Sequence, residues 1–122
     1  MRYYDTLLET QRGEFTVIVD KTYEDLHPRD CFDDSCHDVQ EICEKIDRGY
    51  YDWFMLRTRV FFHGVELSCE YLGGCLYDDA MECLTDGVAE DQIYMAITAA
   101  REQALRYKRL FADLDVNTLE VA

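Results

Sequence analysis

Apolar and polar residues alternate near the N-terminus in the pattern of a strand with one buried face. Between residues 14 and 20, Phe15, Val17 and Val19 alternate with positions that are polar except at Ile18. The polar positions are Glu14, Thr16 and Asp20. A period of two is typical of a half-buried β-strand. The preceding run RYYDTLLET is also rich in strand-forming residues, and a link around residues 11–13 joins the two runs. We therefore predict an N-terminal β-hairpin, followed by a polar loop over residues 21–34.

The pattern then changes to the period of a helix. Four apolar residues recur at i, i+3, i+4 and i+7 and form one stripe: Val39, Ile42, Cys43 and Ile46. Ser35 is followed three positions later by Asp38, a capping-box pattern that predicts where the helix begins. Gly49 predicts its end, because glycine readily takes the left-handed conformation that closes a helix.

The clearest pattern lies in residues 53–71, where two apolar runs flank His63-Gly64. Taking these two residues as a tight turn brings one set of facing pairs onto a core face: Phe62/Val65, Val60/Leu67, Thr58/Cys69 and Leu56/Tyr71. The other face then carries Phe61/Glu66, Arg59/Ser68 and Arg57/Glu70. A slip of one residue would exchange the two faces, so the pattern predicts a second hairpin with this register.

Two helices are predicted after this hairpin, the first following Gly73-Gly74. Its inward residues are Leu76, Ala80, Cys83 and Leu84, and its outward residues are Asp78, Asp79, Glu82 and Asp86. Gly87 ends it, and a longer helix runs from about Val88 to Phe111. The buried stripe of this helix comprises Ile93, Ala96, Ile97, Ala100, Ala104 and Phe111.

The predicted order β-β-α-β-β-α-α indicates an α+β fold in one compact domain over residues 1–122. We expect an antiparallel sheet of two hairpins with helices packed on one face. No run approaches the roughly 18 apolar residues that a membrane helix needs, and no N-terminal apolar stretch follows a basic region. A cytoplasmic location is therefore expected. Six reduced cysteines fit that location, and three of them, Cys43, Cys69 and Cys83, fall at predicted core positions.

Charge narrows the choice of partner. The chain has 26 acidic residues against 12 basic ones, and its formal net charge is −14. Residues 66–91 contain no Lys or Arg but carry eight acids: Glu66, Glu70, Asp78, Asp79, Glu82, Asp86, Glu90 and Asp91. A second acidic set comprises Asp33, Asp34, Asp38, Glu41 and Glu44. The negative electrostatic potential of such a chain repels nucleic acid and anionic membranes and attracts basic protein surfaces.

Part of this charge has simpler explanations. Carboxylates in the first turn of a helix complement its dipole, and salt adaptation also favours acidic surfaces. The helix dipole does not explain why a run of 26 residues has no basic residue at all, and the six cysteines and the aromatic content fit salt adaptation poorly. The sharper interpretation is that rows of carboxylates, spaced about 5–6 Å apart on a helix at i and i+4, imitate neighbouring phosphates of a nucleic acid.

No catalytic or cofactor motif competes with this electrostatic interpretation. His27, Cys31, Cys36 and His37 lack the close C-x2-C pairing of structural zinc sites. Cys75 follows two glycines at a predicted helix start, where a thiolate is favoured. The neighbouring Asp78 and Asp79 oppose a thiolate, however, so packing is the preferred role for Cys75. We expect no catalytic, cofactor-binding or metal-binding residues, and no enzyme.

A small, strongly acidic α+β domain with the stretches DDSCHDVQEICEKID and LYDDAMECLTDGVAED resembles, as a class, the DNA-mimic inhibitors of phages and mobile elements. These are the anti-CRISPR and antirestriction proteins. The resemblance implies an inhibitor that blocks the DNA- or RNA-binding site of a bacterial defence complex, a Cas effector or a restriction enzyme, in the host cytoplasm. The base-free set would bind the partner, and the second acidic set would assist. The alternative is an acidic protein–protein interaction module, either monomeric or homodimeric, unrelated to defence.

Overall fold

The computed structural model describes residues 3–35 and 37–118. The strands are β1 (Tyr4–Arg12), β2 (Phe15–Tyr23), β3 (Asp52–Phe62) and β4 (Val65–Tyr77), and the α-helices are α1 (Pro28–Cys31), α2 (Val39–Asp47) and α3 (Val88–Phe111). Two 3-10 helices span Ala80–Leu84 and Val116–Thr118. The four strands form one antiparallel sheet in the order β1-β2-β3-β4. The predicted α+β fold and its order of elements are confirmed.

The core lies between the sheet and α3. Val17, Val19, Leu56 and Val60 are each 0% exposed on the sheet, and Ala96 and Ala100 are 0% exposed on the helix. The small side chains on α3 let its backbone approach the sheet closely, and the hydroxyl of Ser68 donates a hydrogen bond of 2.6 Å to the Ala96 carbonyl. The predicted stripe is wrong at one position: Phe111 is 54% exposed, because α3 extends beyond its buried stretch and is exposed from Leu105 onward.

The turn of the second hairpin is confirmed, but its predicted register is only partly right. His63 and Gly64 both have positive φ, Phe62 pairs with Val65, and Phe61 with Glu66. The register then shifts between Phe61 and Val60. Leu67, the extra residue of β4, packs against the core, because a bulge lets one strand place an additional side chain on the same face.

This bulge changes every later pair of the hairpin. Val60 faces Ser68 instead of Leu67, Thr58 faces Glu70 instead of Cys69, and Leu56 faces Leu72 instead of Tyr71. Arg59 faces Cys69 and Arg57 faces Tyr71, so the predicted Arg59/Ser68 and Arg57/Glu70 pairs are also wrong. Cys69 is consequently exposed, while Cys75 and Cys83 are buried. Cys43 is half-buried, and the five cysteines at 31, 43, 69, 75 and 83 are free thiols.

Gly73-Gly74 does not start a helix, because β4 continues through Tyr77. The carboxylate of Glu24 accepts hydrogen bonds from the amides of Gly74 (2.7 Å) and Leu26 (3.0 Å). Any Cβ on Gly73 would lie 2.8 Å from Glu24 Oε2, and Gly74 has φ of +70°. The two glycines therefore admit a buried carboxylate to the backbone of β4, a close approach that larger residues would block.

The segment before β3 also differs in detail from its prediction. β2 extends to Tyr23, and the short helix α1 interrupts the predicted loop. Asp38, and not Ser35, caps α2, because its carboxylate accepts a hydrogen bond of 3.0 Å from the Glu41 amide. The Ser35 amide donates instead to Asp33 over 2.9 Å. The predicted apolar stripe of α2 is buried at Val39 and half-buried at the other three positions.

A buried cluster of charged residues links three strands on the sheet face away from α3. Asp20 is 1% exposed and accepts hydrogen bonds from Thr6 (3.1 Å), Arg59 (3.2 Å) and Arg57 Nε (3.0 Å). The Arg57 guanidinium also lies 3.5 Å from the centre of the Tyr4 ring. These contacts link β1, β2 and β3 through one carboxylate.

Replacing this carboxylate should destabilise the fold strongly. We expect Asp20→Asn to lower the free energy of unfolding by about 3 kcal/mol or more, because the two arginines lose the buried charge that compensates them. Urea denaturation followed by circular dichroism measures this. Glu9→Gln, at an exposed position of β1, is the matched control and should change stability by about 0.5 kcal/mol at most. Equal effects of the two substitutions would contradict the structural role of Asp20.

A double-mutant cycle tests the contact between Glu24 and the glycine pair. Gly73→Ala should cost roughly 1–3 kcal/mol, because the new methyl group overlaps the Glu24 carboxylate. In the Glu24→Ala background the same change should cost clearly less, since the obstructing oxygen is gone. Urea denaturation of the four proteins measures the coupling. Additive costs would show that some other contact excludes a side chain at position 73.

Candidate acidic partner-binding surface

The acidic segment after β4 is shaped by its own carboxylates. Asp79 caps the 3-10 helix by accepting a hydrogen bond of 2.9 Å from the Met81 amide. Asp52, from the start of β3, accepts one of 2.9 Å from the Ala80 amide. Ala80 and Cys83 are buried, and Met81 and Glu82 are exposed. The helix therefore has one face in the core and presents its acids to solvent.

The predicted row of acids on an α-helix is wrong. The segment is a five-residue 3-10 helix, Ala80–Leu84, which has about three residues per turn. Asp78 precedes its cap and Asp86 follows its last residue, so the i, i+4 geometry does not apply. The fold nevertheless brings Asp78 and Glu82 together, because both line one surface cavity of about 300 Å³ together with Tyr51 and Tyr77.

Asp86 has a structural role. Its carboxylate accepts hydrogen bonds from the Tyr77 hydroxyl (2.6 Å) and the Val88 amide (3.0 Å). These bonds, first of all the one from Tyr77, lower the pKa of Asp86. Gly87 follows with φ of +97° and begins α3. Asp86 therefore fixes the turn between the 3-10 helix and α3 while its charge stays exposed.

The acids in the first turn of α3 differ in their contacts. Glu90 forms an ion pair of 2.7 Å with Arg12, and the hydrogen bond from Arg12 lowers the pKa of Glu90. Asp91 is exposed and forms no ion pair with any residue that the structure describes. Of these two carboxylates, Asp91 is therefore the one whose charge is not paired within the described residues.

Glu66 and Glu70 lie apart from these residues. Both are in β4, but Glu66 pairs with Phe61 and Glu70 with Thr58, on opposite faces of the sheet because the bulge at Leu67 intervenes. Glu66 also stands near the hairpin turn, about 36 Å along the strand from Tyr77 at 3.3 Å per residue. The eight predicted residues therefore do not form one surface.

The second acidic set surrounds the start of α2, and all five of its members are exposed. Three have local roles: Asp38 caps α2, Asp33 accepts the Ser35 amide bond that lowers its own pKa, and Glu41 pairs with Lys45 over 3.1 Å. Asp34 and Glu44 form no ion pair within residues 3–35 and 37–118.

Asp52 is a neighbour of the acidic segment that the sequence did not reveal. It pairs with Tyr77 across β3 and β4 and lies 3.6 Å from Lys21 Nζ. It stands in the aromatic run YYDWF, outside the base-free stretch, and only the complete register of β3 on β4 would have placed it here. We name the group Asp52, Asp78, Asp79, Glu82 and Asp86 the acidic end.

Charge at the acidic end is poorly compensated. Among the described residues, Lys21 is the one cation that contacts it, through Asp52, while Asp78, Asp79 and Glu82 are exposed and form no ion pair. Neighbouring carboxylates of this kind produce a local negative potential that attracts cations and basic surfaces.

The histidines and cysteines that could bind a metal or act as nucleophiles are not arranged for either role in the described residues. His27 Nδ1 accepts a hydrogen bond of 3.1 Å from the Arg29 amide, and the His37 ring lies 5.2 Å from the Phe32 ring. Of the two cysteines in the zinc pattern, Cys31 is a free and exposed thiol, and Cys36 lies outside the described residues. Over the described part of the chain, no group of three or more potential ligands is suited to a metal ion. Burial raises the pKa of the Cys75 and Cys83 thiols to about 11.

None of the helices in the described ranges is long and apolar enough to cross a membrane. Comparison with protein-family models, with curated proteins and with solved structures finds no match for the chain.

The bond between Tyr77 and Asp86 predicts a specific pH dependence. A carboxylate with a lowered pKa stabilises the fold above its ordinary pKa of 3.8, and this contribution is lost as the pH falls through the lowered value. Tyr77→Phe should therefore lower the urea midpoint at pH 7 and do so less at a pH well below 3.8. Tyr50→Phe, at a position that is 65% exposed and outside the acidic segment, is the control. An effect of Tyr77→Phe that does not change with pH would contradict this role of the bond.

Proposed function

We propose that this protein is a non-enzymatic inhibitor that presents its acidic end as a mimic of nucleic acid. Its partner is the basic DNA- or RNA-binding site of a bacterial defence complex, a Cas effector or a restriction enzyme, in the host cytoplasm. The observation that carries this proposal is a group of exposed carboxylates at one end of a folded domain, Asp78, Asp79 and Glu82, which form no ion pair with any described residue.

The placement of these carboxylates supports recognition better than an acidic tail would. Asp79 is fixed by its cap bond to Met81, and the backbone between Asp78 and Glu82 is fixed by the bond from the Ala80 amide to Asp52. A preorganised set of charges loses less conformational entropy on binding than a flexible one. A lysine- or arginine-lined groove would therefore meet charges that are already in position.

Apolar surface at the same end can prolong such a complex. Met81 is 49% exposed on the 3-10 helix, and Tyr51 and Tyr77 line the cavity beside Asp78 and Glu82. Charge complementarity mainly raises the association rate, whereas a few well-packed central contacts dominate the binding energy. The nearby thiols of Cys75 and Cys83 are buried, and with pKa values of about 11 they are poor nucleophiles at neutral pH, which also favours binding over catalysis.

Charge reversal at the two acids without structural bonds tests the proposal. Asp78→Lys with Glu82→Lys should abolish capture of the partner from bacterial lysate, because the mimicking charge is inverted while the bonds of Asp79 and Asp86 remain. The matched control reverses two exposed acids of the first hairpin that belong to neither acidic set, Glu9→Lys with Glu14→Lys, and should capture the partner. Capture by the wild type should weaken as salt rises, since exposed charges are screened beyond about 10 Å at 0.1 M ionic strength.

Duplex DNA added to the lysate decides between mimicry and its alternative. DNA should displace the captured protein if both occupy one site. A partner that neither duplex DNA nor RNA, added to separate samples, displaces would indicate an acidic interaction module unrelated to defence. Full capture by the folded double-reversal variant would overturn the role of the acidic end.

A further inference from the structure

The outer face of α3 exposes large apolar side chains. Tyr94 is 74% exposed, Met95 51% and Leu105 52%, although Ala96 and Ala100 on the opposite side of the same helix are fully buried. A surface helix normally places polar residues on its solvent face. These three residues therefore mark a face suited to contact with another molecule.

The exposed residues of this face follow the spacing of a helix–helix seam. Six of them recur at alternating intervals of three and four: Asp91, Tyr94, Thr98, Arg101, Leu105 and Lys108. Alternation of three and four keeps side chains in line along one side of a helix that packs against another helix. The seam extends about 26 Å at 1.5 Å per residue.

The seam is complementary to a second copy of itself when the two helices run antiparallel. About a midpoint between residues 99 and 100, Asp91 stands opposite Lys108, Tyr94 opposite Leu105 and Thr98 opposite Arg101. The helix dipole accounts for an acid near the start and bases near the end of α3, but it does not account for Tyr94 and Leu105 at matching positions. Asp91 also lacks a cation within the described chain, whereas its neighbour Glu90 pairs with Arg12.

We propose that the outer face of α3 is a homodimer interface in which two copies of the helix pack antiparallel around a two-fold axis. Each copy contributes the same surface, as in most closed dimers, so the three pairs occur twice. A parallel arrangement is disfavoured because it would bring Asp91 against Asp91 and Lys108 against Lys108. The occupant is therefore a second copy of this chain, selected by charge along the seam and by the Tyr94–Leu105 contact.

This dimer does not depend on the proposed inhibitory function. The seam lies on α3 and shares no residue with the acidic end, so the two surfaces can be altered separately. Asp91 is assigned to the dimer and no longer to the partner surface. The antiparallel arrangement places the two acidic ends at opposite ends of the paired helices.

Exchange of charge across the seam tests the proposal by sedimentation velocity. The wild type should form dimers. Asp91→Lys and Lys108→Asp should each weaken the dimer by about tenfold or more, because each creates two like-charged contacts. An equimolar mixture of these two variants should recover dimers, since both contacts between positions 91 and 108 again join opposite charges. Asp34→Lys, an exposed reversal outside the seam, is the control and should dimerise like the wild type.

A second variant separates loss of the interface from loss of the fold. Leu105→Ser lies at an exposed position and should weaken the dimer while the circular dichroism spectrum stays unchanged. The variant Asp78→Lys with Glu82→Lys should still dimerise, which distinguishes this interface from partner binding. A monomeric wild type, unaltered dimers in both charge variants, or a mixture that does not recover dimers would each overturn the proposal.

Discussion

One buried carboxylate holds together the side of the sheet that α3 does not cover. Asp20 is almost completely inaccessible, and a charge in that position is tolerated only when partners compensate it. Thr6 from β1 and two arginines from β3 supply that compensation. The same strands carry Val17, Val19, Leu56 and Val60 on the opposite face, so the register that pairs the charges also aligns the core. α3 in turn depends on that core, and its first turn follows directly from the acidic end.

The elements that could be predicted from sequence are those defined by nearby residues. The His63-Gly64 turn, the bounds of α3 and the order of elements follow from local periodicity and turn chemistry. The cap of α2 shows the limit of this reasoning, because Ser35 and Asp38 are both good capping residues and only backbone geometry selects the second. The bulges could not be predicted, since they depend on distant contacts. The bulge at Leu67 depends on the core against which its side chain packs. The irregularity at Gly73-Gly74 depends on the carboxylate of Glu24, about fifty positions earlier in the chain.

The candidate site was predictable in composition but not in arrangement. A run without basic residues shows that its acids are exposed, and in the structure seven of the eight are exposed and Glu70 is half-buried. The run does not show which acids share a surface. The carboxylate of Asp86 accepts a hydrogen bond from Tyr77, and that of Glu90 forms an ion pair with Arg12. Glu66 and Glu70 lie on opposite faces of the sheet. Sequence patterns also do not distinguish a 3-10 helix from an α-helix over five residues, and this difference decides how Asp78 and Glu82 meet.

The bulges have a further consequence at the margins of the sheet. β1 and β4 are its two outer strands, and a straight outer strand offers a row of free amides and carbonyls on which another chain can add, as in amyloid. The pairing of β1 is irregular between Thr6 and Leu8, and that of β4 at two places. Each irregularity twists the strand and interrupts the regular row of free amides and carbonyls. Glu66 and Glu70 oppose addition as well, because a second copy of β4 paired with the first would place like charges close together. The distortions that make the register hard to predict thereby also protect the sheet against growth by strand addition.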